Sequence, residues 1–227
     1  MPQFCLRGTQ RAEAIPFEKT GLSEGSDIES TSDIVRIKIA LDAVKPAVMR
    51  RIEVPVSVKL DTLHEIIQAI MPWGNYHLYQ FHVRERRWGI PMPDVDIYPI
   101  ADARKTTLAR ALSEPGFKAL HYTYDFGDDW RHTIKVERRF AAELWDAFPR
   151  LVAAKGRCPP EDIGGPWGYA EYLEAMSDPH HPRHAESMKW LGRRDPNEIG
   201  IAAMEAALGR FVKPATLPTR RAAKRMA

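Results

Sequence analysis

Apolar and polar residues alternate most cleanly in two parts of this chain. Residues 34–41 read IVRIKIAL, with Ile and Val set against Arg and Lys, the pattern of a half-buried strand. In HYTYDFGDDWRHTIKVE, residues 121–137, Tyr122, Tyr124 and Phe126 share one parity, and after a break Trp130, His132, Ile134 and Val136 alternate in the same way. The break is Gly127-Asp128-Asp129, whose residue types favour a tight turn. Strand, turn and strand predict a β-hairpin. Further strands are expected at 48–54, after a turn at Lys45-Pro46, and at 78–84, with a short partner at 86–91. Arg50-Arg51 inside the 48–54 strand reads as a basic rim or a solvated strand edge, where charge blocks edge-to-edge pairing.

A second periodicity marks helices. Leu63, Ile66, Ile67, Ile70 and Met71 follow i, i+3, i+4, i+7, i+8, one face of an amphipathic helix. Asp61 or Thr62 is the expected N-cap, with Thr62 and Glu65 spaced as a capping box. A helical turn is expected at 108–112 and a helix over 141–154, interrupted at Pro149. Tyr169, Tyr172, Leu173 and Met176 repeat at helical spacing after Pro166. Two more helices are expected, at 183–191 and from Asp195-Pro196-Asn197-Glu198 to Phe211. Segments 91–107 and 156–168 read as loops. Strands with one helix, then strands, then helices predict an α+β fold: one domain over 33–212, an antiparallel sheet with helices packed on it in a roll-like arrangement.

Charge redraws the two ends. The net charge of the 227 residues is +3. Residues 213–227 hold Lys213, Arg220, Arg221, Lys224 and Arg225 with no acid, a charge of +5. Residues 1–33 sum to −3, which leaves +1 for 34–212. The polar stretch 1–32 reads as a flexible arm and 213–227 as a disordered basic tail. Arg220, Arg221, Lys224 and Arg225 are then candidate phosphate contacts, or simply solvated. A nearly neutral domain argues against a duplex-binding face. No apolar run approaches the roughly 18 residues a membrane span needs. The first residues show no apolar h-region, so no signal peptide is expected. Cys5 and Cys158 are the only cysteines, and Cys5 falls in the arm, so no structural disulfide is expected and the cytoplasm is the expected compartment.

The candidate chemistry lies on the hairpin and in the loop GRCPPEDIGGPWG at 156–168. If the two converge, Asp125, Asp128, Trp130, His132, Glu161 and Asp162 form one cluster. Its oxygen ligands with one imidazole (Asp125, Asp128, His132, Glu161, Asp162) suit Mg²⁺ or Mn²⁺ better than Zn²⁺. Carboxylate-held metals activate water in phosphoryl transfer. The same residues serve as turn formers, loop caps and a core histidine. Gly164, Gly165 and Gly168 suit either a backbone phosphate cradle or a tight turn, and no Lys-Ser/Thr follows to complete a P-loop. His180, His181 and His184 offer a histidine group without an HExxH spacing. Trp73, Tyr76, Tyr122, Tyr124, Trp130 and Trp167 suit either base stacking or the core.

Tyr122-x-Tyr124-Asp125-Phe126-Gly127-Asp128-x-Trp130-x-His132 and Cys158-Pro159-Pro160-Glu161-Asp162-x-Gly164-Gly165-x-x-Gly168-Tyr169 resemble the plasmid pRiA4b ORF-3-like family. So do the stretch from Pro46 to Val54, Leu63-His64-x-x-Ile67-Gln68 leading to Trp73 and His77-Leu78, His181-Pro182, and Trp190-x-Gly192. The resemblance spans roughly 34–200. It implies an α+β roll-like fold and association with plasmids and transposable elements, and brings no established activity. A serine resolvase would need a catalytic serine domain and a helix-turn-helix, and neither pattern is visible. Two functions follow as expectations. One is a non-enzymatic accessory protein that contacts nucleic acid through its basic tail, or a mobile-element protein. The other is a metal-dependent phosphodiester hydrolase built on the acidic/His cluster.

Overall fold

A computed structural model describes residues 33–92, 94, 99–143 and 145–214. The strands are β1 (Asp33–Leu41), β2 (Met49–Pro55), β3 (Tyr79–Val83), β4 (Arg86–Gly89), β5 (Ala101–Asp102), β6 (Leu120–Tyr124), β7 (Trp130–Ala141), β8 (Ala147–Phe148), β9 (Arg150–Lys155) and β10 (Lys213–Pro214). The helices are α1 (Leu60–Ile70), α2 (Leu108–Leu112), α3 (Gly165–Ser177), α4 (His184–Leu191) and α5 (Ile201–Leu208). Eight strands form one sheet in the order β5-β4-β3-β6-β7-β1-β2-β9, and β10 pairs with β8 in a separate ribbon. All pairs in the large sheet are antiparallel except β4 with β5. The α+β architecture in one domain is therefore as expected, with a parallel pair added at one edge.

Strand alternation gives the sheet two unlike faces. Val35, Ile37 and Ile39 of β1, Ile52 and Val54 of β2, Phe81 of β3, Tyr122 and Tyr124 of β6, and Trp130 of β7 are buried on one face. They join a single core with Leu63, Ile66, Ile67 and Ile70 of α1 and Met204 and Leu208 of α5. The other face carries Lys38, His121, Thr123, Arg131, Thr133 and Lys135, none of them buried. No helix among the described residues is long and apolar enough to cross a membrane.

Four expectations need correction. The 141–154 segment is the end of β7 followed by β8 and β9, not a helix. Pairing of β9 along β2 occupies an edge that would otherwise be open, and this overrides the weak helix preference of an Ala-containing run. Because β9 covers it, β2 is interior: Arg50 is fully buried, and only Arg51 reaches solvent, where it pairs with Glu137. The helix expected from Asp195 begins only at Ile201, since Gly200 adopts φ 66° and ends the preceding turn. Helix α1 starts at Leu60 with Lys59 as its N-cap and no side-chain cap. The Leu60 amide donates to Thr106 O at 2.9 Å, and this contact with the segment just before α2 sets the start in place of Asp61 or Thr62.

His132 also belongs to this core. It shares the parity of Trp130 and Ile134 and is fully buried. Its Nδ1 lies 3.1 Å from Trp130 O and 3.3 Å from Tyr122 O, so Nδ1 carries the proton. Burial holds its pKa down at about 4, against the pull of these two backbone bonds. Burial does the same for His64 of α1, also to about 4, opposed by its bond to Asn75. Unfolded, both titrate near the ordinary 6.5. Between pH 6.5 and 4 the unfolded chain therefore binds more protons, and stability is complete above pH 6.5 and falls as pH drops towards 4. The expected loss is up to about 3 kcal/mol per histidine. Urea melts at pH 7.5, 5.5 and 4.5 measure it, and a flat profile would contradict neutral burial of the two rings.

Candidate metal centre

The site forms where three loops meet at one end of β3, β6 and β7. The first loop, 71–78, leaves α1 and carries His77. Its course is fixed by His64, whose Nε2 lies 2.7 Å from Asn75 Oδ1 and whose Nδ1 lies 2.7 Å from the Tyr122 hydroxyl. Gln68 Nε2 donates to the same hydroxyl at 3.0 Å. The pattern closes if Tyr122 donates to Nδ1 and Nε2–H donates to Asn75, the neutral tautomer that the low pKa requires. The His64 ring also stacks on Tyr79 at 3.6 Å between centroids. Asn75 holds φ 61°, a left-handed conformation that Asn tolerates better than most residues.

The second loop is the 125–129 hairpin turn. Asp125 (φ 56°) and Asp129 (φ 57°) both adopt the left-handed region. Asp125 Oδ1 accepts from the Gly127 amide at 2.9 Å and the Asp128 amide at 3.3 Å, the local bonding that makes Asp a turn residue. The third loop is 156–164. Asp128 Oδ2 accepts from the Gly164 amide at 3.3 Å. A Cβ at Gly165 would collide with the Asp128 carbonyl, so the two loops touch through backbone and the glycines here form a tight structural turn.

Glu161 and Trp73 lock the third loop to the first. The Tyr124 hydroxyl donates to Glu161 Oε1 at 2.5 Å, and the Gly74 amide donates to Glu161 Oε2 at 2.5 Å. The Tyr76 amide donates to the Tyr124 oxygen at 3.0 Å, and Trp73 Nε1 donates to Pro159 O at 2.9 Å. Burial and the bond to Glu161 push the Tyr124 phenol well above its ordinary pKa, so it remains a donor. Trp73 stacks on Tyr124 at 5.2 Å.

This clamp brings three ligand-type atoms together. His77 Nε2 lies 3.1 Å from Asp162 Oδ1 and 3.5 Å from Asp125 Oδ2. One such atom from each residue falls within 4.8 Å of the other two. His77 Nε2 is itself buried, yet neither carboxylate meets it with hydrogen-bond alignment. The two contacts are thus close approaches without a directed N–H···O bond. Asp125 is buried, while the Asp162 side chain is 66% exposed, which leaves one side of the trio open to solvent. Among the described residues no other group of His, Cys, Asp and Glu comes together in this way.

The cluster expected from sequence is therefore only partly assembled. Asp125 and Asp162 converge. Asp128 and Glu161 lie beside them but are engaged in holding loops. His132 and Trp130 point into the core and do not reach the turn, because the strand parity that pairs them with Ile134 faces the helices. His77, which carries no ligand signal in its local sequence, takes the imidazole position. His184 Nδ1 lies 2.8 Å from Ala175 O, and His181 Nδ1 accepts the Arg183 amide, so neither joins a metal-type group. Of the proposed stacking aromatics, Trp73, Tyr122, Tyr124 and Trp130 are core, and Tyr76 and Trp167 are exposed. Cys158 is free, and burial raises its thiol pKa, the opposite of an activated nucleophile. Cys5, the 1–32 arm, and Arg220, Arg221, Lys224 and Arg225 lie outside the described residues.

The clamp is directly testable. Tyr124→Phe deletes the hydroxyl and leaves Glu161 Oε1 and the amides of Tyr76 and His77 short of a partner. The expected cost is about 1–3 kcal/mol in a urea melt. A loss below about 0.5 kcal/mol would show that the loops hold together without it.

Comparison with known proteins agrees with this architecture. The uncharacterized protein y4hQ of Sinorhizobium fredii (strain NGR234) is 49% identical over 164 residues, which cover 72% of this chain and 84% of that protein. The crystal structure of a Methanosarcina mazei Go1 protein of unknown function is similar with a TM-score of 0.69 and 30% identity, covering 75% of this chain and 96% of that one. The family model described as plasmid pRiA4b ORF-3-like protein matches residues 33–203, a span that contains every strand of the large sheet, the loop clamp and the His77–Asp125–Asp162 trio. The chain belongs to the plasmid pRiA4b ORF-3-like family.

Proposed function

We propose that this chain is a divalent-metal protein, with His77, Asp125 and Asp162 as ligands, that hydrolyses a phosphate ester. The observation that carries the reading is the approach of one imidazole nitrogen and two carboxylate oxygens to within 4.8 Å of one another. Two hard oxygens with one imidazole nitrogen suit Mn²⁺ or Mg²⁺. Three protein ligands with one open side leave positions for water and a substrate oxygen, the arrangement that lets a metal lower the pKa of bound water and polarise phosphorus. The reading places His77 where sequence alone placed His132. The exposed rings of Tyr76 and Phe126 adjoin His77 and Asp125 in the chain and offer apolar surface to a substrate.

The experiment is a thermal melt after EDTA treatment, with Mg²⁺, Mn²⁺, Zn²⁺ or Ca²⁺ returned singly. A ligand that binds only the native state adds about 2.7 kcal/mol at a hundredfold excess over its dissociation constant. The expected result is a rise of several degrees with Mn²⁺ or Mg²⁺, abolished in His77→Ala/Asp162→Ala, and a metal-dependent phosphodiesterase activity lost in the same variant. Equal melting with and without all four metals would overturn it.

A second reading, an accessory protein that contacts nucleic acid, is favoured by the open face of the sheet. Lys38 of β1 sits directly opposite Arg51 of β2 on one side and Lys135 of β7 on the other. Like charges set opposite each other across strands are destabilising unless an anion answers them, although Glu137 offsets Arg51. Beside this row lies a groove of about 580 Å³ that holds ring faces at His82, His121 and Phe126, with the two histidine rings stacked at 5.0 Å, and two carboxylates, Asp42 and Asp129, the latter paired with Arg131 at 2.6 Å. The cations of the row and the ring faces of the groove suit single-stranded nucleic acid, while the groove carboxylates oppose it. Lys38→Glu/Lys135→Glu and deletion of 213–227 are each expected to weaken binding of a single-stranded oligonucleotide and to flatten its salt dependence. Undiminished binding in both variants, or no binding at low salt, would rule this reading out.

A further inference from the structure

Arg50 is a guanidinium buried inside the sheet with no carboxylate beside it. Its Nε donates to Ile70 O at 2.8 Å, and its Nη1 lies 2.9 Å from Met49 O, 2.9 Å from Lys155 O and 3.0 Å from Gly156 O. Nη2 is buried and has no hydrogen-bond partner. The carbonyls answer four contacts but leave the charge itself uncompensated, and burial accordingly lowers the pKa of the group. An isolated buried charge is among the costliest features a fold can keep.

Arg50 lines a cavity of about 190 Å³, and two more arginines, Arg157 and Arg194, line it too. Arg157 is paired with Glu198 at 2.7 Å, and Glu198 is the only carboxylate among the described lining residues. Arg194 makes no ion pair among the described residues, and its Nε is buried without a hydrogen-bond partner. Arg50 and Arg194 therefore border one small cavity with no carboxylate paired to either, their unpartnered Nη2 and Nε atoms buried in its wall. The N-terminus of α5 borders the same space through Ile199, Gly200 and Ala203. Gly200, its N-cap, has no side chain to cap the first turn. An uncapped helix start beside arginines that lack a countercharge favours an anion by its dipole.

We propose that this cavity binds a phosphate group, either inorganic phosphate or a phosphate monoester, between Arg50, Arg194 and the start of α5. The charge selects the class: two guanidiniums without a carboxylate partner match a dianion better than a singly charged carboxylate. The site is separate from the His77–Asp125–Asp162 trio and requires no metal.

The test is a thermal melt of the full chain in inorganic phosphate, in 5′-AMP as a phosphate monoester, and in NaCl at matched ionic strength. Arg50 holds four carbonyl contacts, so its replacement is expected to unfold the protein. Arg194→Gln is the informative variant, since it removes one unpaired charge at the rim. Phosphate is expected to raise the wild-type midpoint by about 4 °C or more over NaCl, and Arg194→Gln to lose most of that rise while melting at or near the wild-type temperature in NaCl. A larger rise with 5′-AMP than with phosphate at equal concentration identifies a monoester, and an equal or smaller one identifies free phosphate. No rise with either, or the same rise in Arg194→Gln as in wild type, overturns the proposal. The second outcome also separates site binding from the general stabilisation that phosphate gives as an excluded salt.

Discussion

The hydroxyl of Tyr124 is the polar group on which the site end of this fold depends. Tyr124 closes β6 with its ring buried in the core, so its oxygen must find partners inside the protein. It finds them in two loops at once, Glu161 from one and the Tyr76 amide from the other. Trp73, stacked on the Tyr124 ring, ties the same loops a second time through Pro159. The apolar body of the strand is thus committed to the core while its polar tip organises the surface. His77 and Asp162 meet because the loops that carry them are fastened to that tip, and Asp125 joins them as the residue that follows Tyr124 in the turn.

Much of this was legible in the sequence, for reasons that differ by element. Strands β1, β6 and β7 could be read because each has one face in the core and one in solvent, which writes burial into parity. Helix α1 could be read because its apolar stripe repeats at helical spacing. The 141–154 segment misled because its Ala, Leu and Trp residues carry helix preference, whereas its actual structure depends on pairing with β2, more than 90 residues earlier. The same non-local pairing turned Arg50 from an apparent surface residue into a buried one. Helix α5 was placed too early because Asp195-Pro196 is a cap by local rules, while Gly200 ends that turn through its own backbone conformation.

The site was half legible for a related reason. Asp125 and Asp162 were visible as acids beside turn glycines. The imidazole was assigned to His132 on nearness in the chain, although its parity with Trp130 and Ile134 already marked it as core. His77 had no local signal beyond Asn75 and the start of β3. Its place is set by His64 and Glu161, neither of which is close to it in sequence. Backbone conformation adds a consistent mark: Asn75, Asp125, Asp129 and Asp162 all hold positive φ around this one point. Strained backbone gathered at a loop junction is retained where the surrounding structure over-determines it, and such gatherings are typical of functional sites.

The most direct test of the metal centre is an anomalous difference map from a crystal soaked in MnCl₂. The expected result is a single strong peak bonded to His77 Nε2, Asp125 Oδ2 and Asp162 Oδ1 at distances of roughly 2.0–2.6 Å, absent from crystals of the His77→Ala/Asp162→Ala protein. A map with no peak at the trio, or with manganese bound only at other carboxylates, would contradict the account and leave His77 as a bridge between two turns.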